Sequence, residues 1–440
     1  MYNPQLHAVK RRKSNFPWVP FSLGFFVVVG LSLYFLLPIL NKDESLINQS
    51  PFTICNYSVN KTQDTLESLS YSDTIQMHDY LVYGETLNIF AQNYVLNQKD
   101  TFIGKTVKLI NLCDGYEWVY MLEGNIDGQI PLELLPNGFY EVYIIDNLIQ
   151  KRVISSLDIE DIFYPVNRNN QGKTIEILSD LNLGSSEDRK VSLDKRYLYL
   201  SVKDSTSEER ETVYDIVLDG ANSTYIGQRV DRGKSAFNMV ESNETVRMAI
   251  LVQEELEAAG LKVYMTRDDS EDVIDLYGID GRLYNAYASK AKYYLEFNML
   301  YSSLAERSGA VMSYSHFSSN RFATAVFKSY LNANIISAYG SASSSNIAGV
   351  KSASLYEGFD SIPVIRESGG RILGAGTMSE ASLTNASFNA DARYGLQTIS
   401  LDLIHLSNEN DAMLYANNTE ALAHAIAQGI IEYIRLEGQS

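Results

Sequence analysis

The stretch Tyr214–Gln228, YDIVLDGANSTYIGQ, decides the fold of the C-terminal half of the chain. The apolar run Ile216–Leu218 ends in Asp219 and Gly220, and polar residues follow. This order predicts a buried strand that runs into a loop, and in open α/β sheets such loops hold ligands and metals. The loop itself contains no His, no Cys and no second acid. We interpret it as an active-site loop that has lost its catalytic and metal-binding residues.

Strands and helices alternate in the pattern that follows this loop. The apolar periodicity of Glu244–Gly260 predicts a helix, and its final glycine favours helix termination. Further predicted helices are Gly281–Ala291, Phe322–Ala333 and Thr419–Leu436. Predicted strands are Leu261–Asp268, Lys292–Asn298, Gly309–Ser315 and Leu396–Ile404. For residues 212–440 we therefore predict an α/β domain, with helices flanking both faces of one sheet.

The N-terminal residues have the composition of a membrane anchor. Phe16–Leu40 contains no charge, and its 25 residues are long enough to cross a hydrocarbon core of ~30 Å at ~1.5 Å per residue. The basic cluster Lys10–Lys13 precedes it and acidic Asp43–Glu44 follows, so the positive-inside rule places the N-terminus in the cytoplasm. We see no small-x-small cleavage motif, which favours an uncleaved anchor over a signal peptide. We predict a cytoplasmic tail at 1–15, a single transmembrane helix at 16–40 and extracellular domains beyond it.

Two further regions lie between the anchor and the α/β domain. Residues 41–74 are rich in Ser, Asn, Thr and Asp and lack periodicity, which predicts a linker. Residues 75–205 contain short strand-like runs separated by turn residues, which predicts a β-sandwich-like domain. These runs are Thr106–Leu112, Glu117–Gly124, Gly128–Leu135, Gly138–Asp146, Lys173–Ser179 and Arg196–Val202.

Composition excludes some classes of function. A net charge of −18 argues against a nucleic-acid partner, because little basic surface is available to follow a phosphate backbone. Cys55 and Cys113 are the only cysteines, and we interpret them as unpaired thiols rather than as a disulfide formed in an oxidising exterior. Neither a Gly-x-Ser-x-Gly nucleophile elbow nor a phosphate-binding Gly-rich loop is present.

Several motifs of the α/β region share the spacing of one enzyme family. Glu241 lies 19 residues before Gly260, LEAAGLKVYMTRD spans Leu256–Asp268, Arg282 lies 16 residues before Asn298, and LDLIHLSNENDAMLY spans Leu401–Tyr415. With the closing helix ALAHAIAQGIIEYI, the region from about Tyr214 to Leu436 resembles the zinc-dependent N-acetylmuramoyl-L-alanine amidases of bacterial cell walls. The stretch RESGGRILGAGT, Arg366–Thr377, is similar to an RETGG-like segment of some bacterial members.

The resemblance implies a zinc site made by two His and one Glu, with a later Glu as general base. Asn222 and Asn298 occupy the two His positions, Glu241 retains the third ligand, and Asp402 occupies the position of the base. Zinc at a hydrolytic site favours imidazole nitrogen, and an amide oxygen is a weak donor for this ion. Without zinc, water keeps its high pKa and no hydroxide forms at neutral pH. We therefore expect no cofactor, with zinc only if the family activity survives.

Other residues leave alternatives at this site. The four oxygen-bearing side chains at these positions suit Ca²⁺ or Mg²⁺ better than Zn²⁺, although we favour a metal-free polar pocket. His405 is interpreted as a partly buried loop side chain rather than a metal ligand. Arg282, Arg366 and Glu367 are expected to support the pocket by hydrogen bonds and ion pairing, and structural ion pairs are the alternative.

These observations predict a membrane-anchored cell-wall protein, a pseudoenzyme that binds peptidoglycan or a wall-remodelling protein. One alternative is an active amidase that cleaves the bond between N-acetylmuramic acid and L-alanine of peptidoglycan. The other is a structural adaptor that binds through its β domain. Metal content separates the first two hypotheses, and peptidoglycan binding by each domain separates the first and the third.

Overall fold

A computed structural model of the chain describes residues 59–77, 79–83, 86–91, 102, 104–122, 130–155, 161–163, 173–180, 196–204, 214–278, 280–341, 347–356, 359–368, 370–373 and 396–437. The predicted tail and transmembrane segment, residues 1–40, lie outside these ranges, as does Cys55. No helix within the described ranges is long and apolar enough to span a membrane. Cys113 is disulfide-bonded, so its interpretation as an unpaired thiol is wrong. The positions of two cysteines in a sequence do not show whether their thiols lie close enough in the fold to form a disulfide.

Part of the predicted linker at residues 41–74 is a packed helix, α1 (Val59–Leu69). Leu66 and Leu69 lie three residues apart, so they share one face of the helix, and both are buried in a cluster with Phe139. The linker interpretation is therefore wrong for this segment. Two leucines bury one face of a helix whose other residues are mostly polar, and that polar composition hid the pattern.

The first half of the chain forms strands. Their bounds are β1 (Thr74–Met77), β2 (Asp79–Tyr83), β3 (Thr86–Phe90), β4 (Lys105–Asn111), β5 (Glu117–Leu122), β6 (Ile130–Pro131), β7 (Gly138–Asp146), β8 (Ile149–Ser155), β9 (Asp161–Phe163), β10 (Lys173–Ser179) and β11 (Arg196–Asp204). The predicted strand Gly128–Leu135 is shorter than expected, because a 3₁₀ turn, Leu132–Leu134, follows β6 directly.

These strands form two sheets over one core. The first sheet has eight strands. Seven of them follow the order β5-β4-β7-β8-β11-β10-β9, and the eighth, β1, pairs in parallel with β8. Strands β2, β3 and β6 belong to a second, four-stranded sheet. Leu87 and Ile89 of β3 are buried in the same cluster as Leu109 of β4 and Val142 of β7. Two sheets that share an interior in this way have the arrangement of a β-sandwich.

The second half alternates strands and helices. Its strands are β12 (Ile216–Gly220), β13 (Thr224–Ile226), β14 (Arg229–Asp231), β15 (Ser235–Ala236), β16 (Met239–Val240), β17 (Val263–Met265), β18 (Tyr293–Leu300), β19 (Val311–Tyr314), β20 (Val350–Ser352), β21 (Leu355–Tyr356), β22 (Phe359–Asp360), β23 (Gly370–Leu373) and β24 (Gln397–His405). Its helices are α2 (Glu241–Ala258), α3 (Arg282–Ala288), α4 (Arg321–Asn332), α5 (Pro363–Ser368) and α6 (Glu409–Glu437), the last interrupted at Asn418.

The main sheet of this half has the order β17-β12-β18-β24-β19-β20. The first four strands are parallel to their neighbours, whereas β19 is antiparallel to β24. Ile216 and Leu218 pack with α2, α4 and α6, while Val217, which points to the opposite face, packs with α3 and α5. The prediction of an α/β domain with helices on both faces of a sheet is confirmed.

The two halves share a sheet. Strand β23, which follows α5, pairs antiparallel with β2, from Tyr80 opposite Leu373 to Tyr83 opposite Gly370. The buried side-chain amide of Asn88 also donates a 2.9 Å hydrogen bond to the carbonyl oxygen of Phe317. The residues Gly370–Leu373, within the RESGGRILGAGT stretch, thus supply an edge strand to the four-stranded sheet of the β domain.

Candidate functional site

The candidate site lies at the carboxyl edge of the main sheet. Strands β12, β18 and β24 are parallel neighbours, so the loops and residues that follow them meet at one edge. Asn222 follows β12, and Asn298 on β18 lies directly opposite Asp402 on β24. Asn222 has a φ of 67°, in the left-handed region that Asn tolerates better than most residues.

Glu241 begins α2 and is held by the main chain. Its Oε1 accepts a 3.0 Å hydrogen bond from the N–H of Met299, and its Oε2 accepts a 2.9 Å bond from the N–H of Lys234. Burial raises the pKa of Glu241, while these two bonds and a side-chain hydrogen bond from Asn222 oppose that shift. The carboxylate therefore ties three separate chain segments together.

The absence of a side chain at Gly233 allows Glu241 and Asn222 to pack closely against the backbone of this loop. The φ of 76° at Gly233 lies in the left-handed region, and a Cβ there would lie 2.4 Å from Glu241 Oε2 and 2.8 Å from Asn222 Nδ2. Any larger residue would push these two side chains apart.

Asn298 is bound to an acid that sequence analysis missed. Its Nδ2 donates to Glu296 Oε2 at 2.6 Å and to Ser400 Oγ at 3.2 Å, and Ser400 Oγ donates to the same Glu296 oxygen at 2.7 Å. Burial, reinforced by the charge of Asp219, raises the pKa of Glu296 to about 8. The available signal was an acid two residues before Asn298 inside an apolar strand, a spacing that puts both on one face.

Asp402, the residue at the position of the base, is half-buried. Burial raises its pKa to about 7; the charge of Lys351 lowers the pKa and that of Glu241 raises it.

Arg282 lies in a buried ion pair beneath the loop after β12. Its Nη1 donates at 3.0 Å to Asp219 Oδ1 and at 3.0 Å to the carbonyl oxygen of Gly220. Asp219 is fully buried and also accepts hydrogen bonds from the hydroxyls of Thr266 and Tyr294. This network fixes the end of β12, which is the structural role considered as the alternative.

Arg366 and Glu367 pair with one another on α5. Arg366 Nε donates to Glu367 Oε1 at 2.6 Å, and Arg366 Nη1 donates to the carbonyl oxygen of Asp360 at 3.3 Å. Arg366 also forms a side-chain hydrogen bond with Tyr277. Burial raises the pKa of Tyr277 and the charge of Glu367 adds to this shift, whereas the charge and the hydrogen bond of Arg366 oppose it.

His405 is the last residue of β24 and is buried. Its Nδ1 lies 2.8 Å from the carbonyl oxygen of Gly309, and its ring contacts Tyr339 edge to face. These contacts give it a packing role.

A cavity of about 650 Å³ opens at this edge. Its polar lining consists of Asn222, Thr224, Tyr225, Asp275, Tyr277, Arg282, Glu296 and Asn298. Its apolar lining consists of Ala221, Leu276, Ile362, Pro363 and Val364. Asn222, Asn298 and Arg282 were singled out from the sequence, whereas Glu296, Asp275 and the two tyrosines were not.

The donor set does not fit zinc. Asn222 and Asn298 offer amides where a hydrolytic zinc site favours imidazoles, and these amides donate hydrogen bonds to Glu241 and Glu296. Within the described ranges, no group of three or more His, Cys, Asp or Glu side chains is placed to hold a metal ion. The all-oxygen alternative is weak for a different reason, because two carboxylates and two neutral amides are few ligands for Ca²⁺ or Mg²⁺.

Fold and site together define an α/β domain with a polar cavity at the carboxyl edge of its main sheet. Residues 216–432 match the Amidase_3 family, N-acetylmuramoyl-L-alanine amidase. This part of the chain is therefore an Amidase_3 domain, and the family identified from the sequence motifs is confirmed.

Solved structures of amidases are similar to this domain. They include the N-acetylmuramoyl-L-alanine amidase AmiC2 of Nostoc punctiforme, with 17% identity over 51% of this chain and 98% of that chain and a TM-score of 0.37. The catalytic domain of CwlV from Bacillus (Paenibacillus) polymyxa var. colistinus has 19% identity over 51% and 97%, with a TM-score of 0.35. The CwlD amidase from Clostridioides difficile, solved in complex with the GerS lipoprotein, has 17% identity over 51% and 99%, with a TM-score of 0.34. No curated protein matches the chain.

Proposed function

We propose that this chain is a cell-wall protein whose Amidase_3 domain binds peptidoglycan, or a wall-remodelling protein, without hydrolysing it. The observation that carries the proposal is the pair of amides at the two imidazole positions. Asn222 donates a hydrogen bond to Glu241, and Asn298 donates one to Glu296. Neither amide offers the imidazole nitrogen that a hydrolytic zinc site favours, and both amides bind acids of the protein instead.

Loss of hydrolysis follows from the chemistry of water. A metal-bound water supplies hydroxide at neutral pH only because a cation lowers its pKa, and neutral amides do not have this effect. Asp402 is one methylene shorter than Glu, and it faces Asn298 across two strands rather than a metal-binding imidazole. A base without an activated water gives little acceleration of amide cleavage.

Binding is supported by the cavity. It keeps a volume of about 650 Å³, within the range of small-molecule sites, and it combines polar groups with two tyrosine rings. Tyr225 and Tyr277 are 56% and 43% exposed, so their faces are accessible to a sugar ring or a peptide side chain.

The test uses the full chain, purified in detergent, with sedimentation against peptidoglycan sacculi and release of muropeptide fragments as the two readouts. We expect co-sedimentation with no release of fragments. Release of fragments that is abolished by a chelator would establish the active amidase instead. Absence of co-sedimentation would reject peptidoglycan as the ligand.

The structural adaptor is favoured by one feature of the β domain. Strand β5 lies at the edge of the eight-stranded sheet and exposes Val119 and Met121, which are 57% and 51% accessible. Such an edge pairs readily with another chain. If Val119→Lys abolished retention on sacculi while Tyr277→Ala did not, the β domain would be the binding element.

We also propose that Phe16–Leu40 anchors the chain as a single transmembrane helix with the N-terminus in the cytoplasm. The charge distribution around this segment supports that orientation. Protease added to intact cells is expected to digest the chain beyond residue 41 and to spare the first dozen residues. A C-terminal tag that stayed protected would contradict the proposed topology.

A further inference from the structure

Four side chains on the wall of the cavity in the Amidase_3 domain present oxygen acceptors to a ligand: Asn222, Asp275, Glu296 and Asn298. From this we infer that the cavity takes a primary ammonium group, carried by a peptide or by an amino sugar. The inference rests on the proposed function, since it names the chemical group that the non-hydrolytic cavity recognises. The hydrogen bonds and burial of the described residues on the cavity wall support this inference.

The two asparagines turn their donors away from the cavity. Asn298 Nδ2 donates to Glu296 and Ser400, and the Asn222 side chain donates to Glu241. Each amide therefore has at least one N–H group engaged by an oxygen of the protein, and its carbonyl oxygen accepts no hydrogen bond from the described residues. Two amide oxygens at one edge of a cavity require a donor in the ligand.

Glu296 adds a carboxyl group on the wall. The side chain is only 7% exposed, and both of its hydrogen bonds, from Asn298 and Ser400, go to Oε2. Among the described residues no partner contacts Oε1 and no cation forms a salt bridge with this carboxyl. Oε1 therefore opens onto the cavity, where it is available to a donor of the ligand.

Asp275 supplies a further acceptor. Its Oδ1 accepts a 2.8 Å hydrogen bond from the N–H of Tyr225, which leaves Oδ2 available. Tyr225 and Tyr277 line the same cavity, and an aromatic face attracts a cation.

Arg282 is the one cation on the described cavity wall, and its charge is already matched. It is 3% exposed, and its Nη1 forms a 3.0 Å ion pair with the fully buried Asp219. Its Nε has no hydrogen-bond partner but is itself inaccessible, so it does not present a donor to the cavity. The wall therefore offers no free positive charge to repel an ammonium group.

A primary ammonium group matches this lining. It carries three donors and one positive charge, and it accepts nothing. A neutral or anionic group of the same size would leave several of these acceptors unpaired, which costs binding free energy. Ammonium groups occur on lysine-like side chains and on amino sugars without an N-acetyl group, and the chemistry of the wall is the same for both.

The experiment is calorimetric titration of the full chain in detergent with matched pairs of probes. Nα-acetyl-L-lysine amide is compared with Nα-acetyl-L-norleucine amide, and glucosamine with N-acetylglucosamine. We expect the charged member of at least one pair to bind about tenfold or more tightly than its neutral partner, because charge-assisted hydrogen bonds to buried oxygens are strong. The pair that shows the difference identifies the source. Equal affinity within both pairs would overturn the inference.

A variant locates the effect. Asp275→Asn keeps the shape of the side chain and removes its charge, so it is expected to abolish the preference for the charged probe. The new amide oxygen can still accept the N–H of Tyr225, so the variant is expected to fold. Glu254→Gln, on the exposed face of α2, is the control and keeps that preference. An unchanged preference in the folded Asp275→Asn variant would overturn the inference.

Sacculus binding separates this inference from the proposed function. If the chain sediments with sacculi but does not prefer either amine, the proposed function stands and the inference fails. If the chain prefers an amine but ignores sacculi, the inference stands and the proposed peptidoglycan ligand fails.

Discussion

The side-chain amide of Asn298 lies 2.6 Å from Glu296 Oε2, two residues earlier on the same strand, and donates a hydrogen bond to it. Ser400 on the neighbouring strand donates to the same oxygen. Asn298 occupies a position at which the family pattern has a metal ligand, yet its donor is committed to an acid of the protein. The edge of the sheet is thus organised around hydrogen-bonded carboxyl groups, and Glu241 shows the same principle with two main-chain donors.

Glu241 is expected to stabilise the fold without any metal. Removing its carboxylate in Glu241→Ala leaves the N–H groups of Lys234 and Met299 unpaired, so the free energy of unfolding should fall by about 3 kcal/mol. Urea denaturation of the wild type and the variant in the presence of a chelator measures this. Glu254→Ala, on the exposed side of the same helix, is the control and should change stability by less than about 0.5 kcal/mol. Equal stabilities for the two variants would show that Glu241 is not structural.

Gly233 offers a test of the close packing around Glu241. Gly233→Ala places a methyl group 2.4 Å from Glu241 Oε2, in addition to the strain of its φ of 76°. Gly227→Ala has similar backbone strain, with a φ of 64°, but its Cβ would meet nothing within 4 Å. We expect about 1 kcal/mol of destabilisation at Gly227 and at least about 2 kcal/mol more at Gly233, measured by thermal melting. Similar losses at both positions would contradict the packing described for this loop.

The fold of the C-terminal half was predictable because its signals are local. The apolar run before Asp219 predicts a strand, and the apolar periodicity that ends at Gly260 predicts a helix, without any knowledge of the tertiary structure. The pairing of β23 with β2 was not predictable, since it joins residues far apart in sequence through backbone groups that no side-chain pattern reports. The helix that contains Leu66 and Leu69 was not predictable for a different reason. Two apolar residues in a polar segment are too few to establish a helical period.

The meeting of the candidate residues at one edge of the sheet was predictable, but their hydrogen bonding was not. Spacing placed Asn222, Glu241 and Asn298 at one edge, and the parallel order of β12, β18 and β24 brings them there. The sequence could not show how the side-chain amide of each asparagine is oriented, because that orientation depends on the acidic side chains around it. Glu296 was missed for this reason: its importance comes from the donors that surround it and from its burial.

Zinc content is the direct measurement on the wild type. We expect the purified chain to carry well under one equivalent of zinc, and a chelator to leave its melting temperature unchanged. A ligand that binds only the folded state raises the melting temperature by mass action, so a real zinc site would show as a chelator-sensitive melt. Stoichiometric zinc with such a shift would establish the active-amidase alternative.

Asp360 predicts a dependence of stability on pH. Burial raises its pKa from 3.8 to about 6, although hydrogen bonds from Ser315 and His316 oppose the shift. Between these two values the folded state keeps the proton that the unfolded state releases, so stability falls as pH rises from about 4 to about 6. The loss attributable to this group is at most about 3 kcal/mol.

Urea denaturation at several pH values between 4 and 7 measures this contribution. Asp360→Asn should flatten the pH dependence, because its amide still bonds to both neighbours but does not titrate. Asp268→Asn, at an exposed position, is the control and should leave the slope unchanged. An unaltered slope in Asp360→Asn would show that another group titrates in this range.

Restoring the imidazoles is the sharpest test of the site. Asn222→His with Asn298→His should create a zinc site together with Glu241, because the backbone already directs both positions to one edge of the sheet. The φ of 67° at residue 222 suits His, which tolerates the left-handed region better than most residues. At residue 298 the adjacent Glu296 is placed to accept the second ring N–H, the partner that orients a metal-bound imidazole.

The repacking caused by two larger side chains costs on the order of 1–3 kcal/mol. Zinc binding offsets this cost by mass action when free zinc far exceeds its Kd. We therefore expect the double variant to melt below the wild type without zinc and to gain stability with zinc, while each single variant gains little. Adding Asp402→Glu extends the carboxylate by one methylene toward a water on that metal, and muropeptide release would then report restored hydrolysis. If the double variant folds and takes up no zinc in dialysis, Asn222 and Asn298 do not converge on one point, and the placement of the site is wrong.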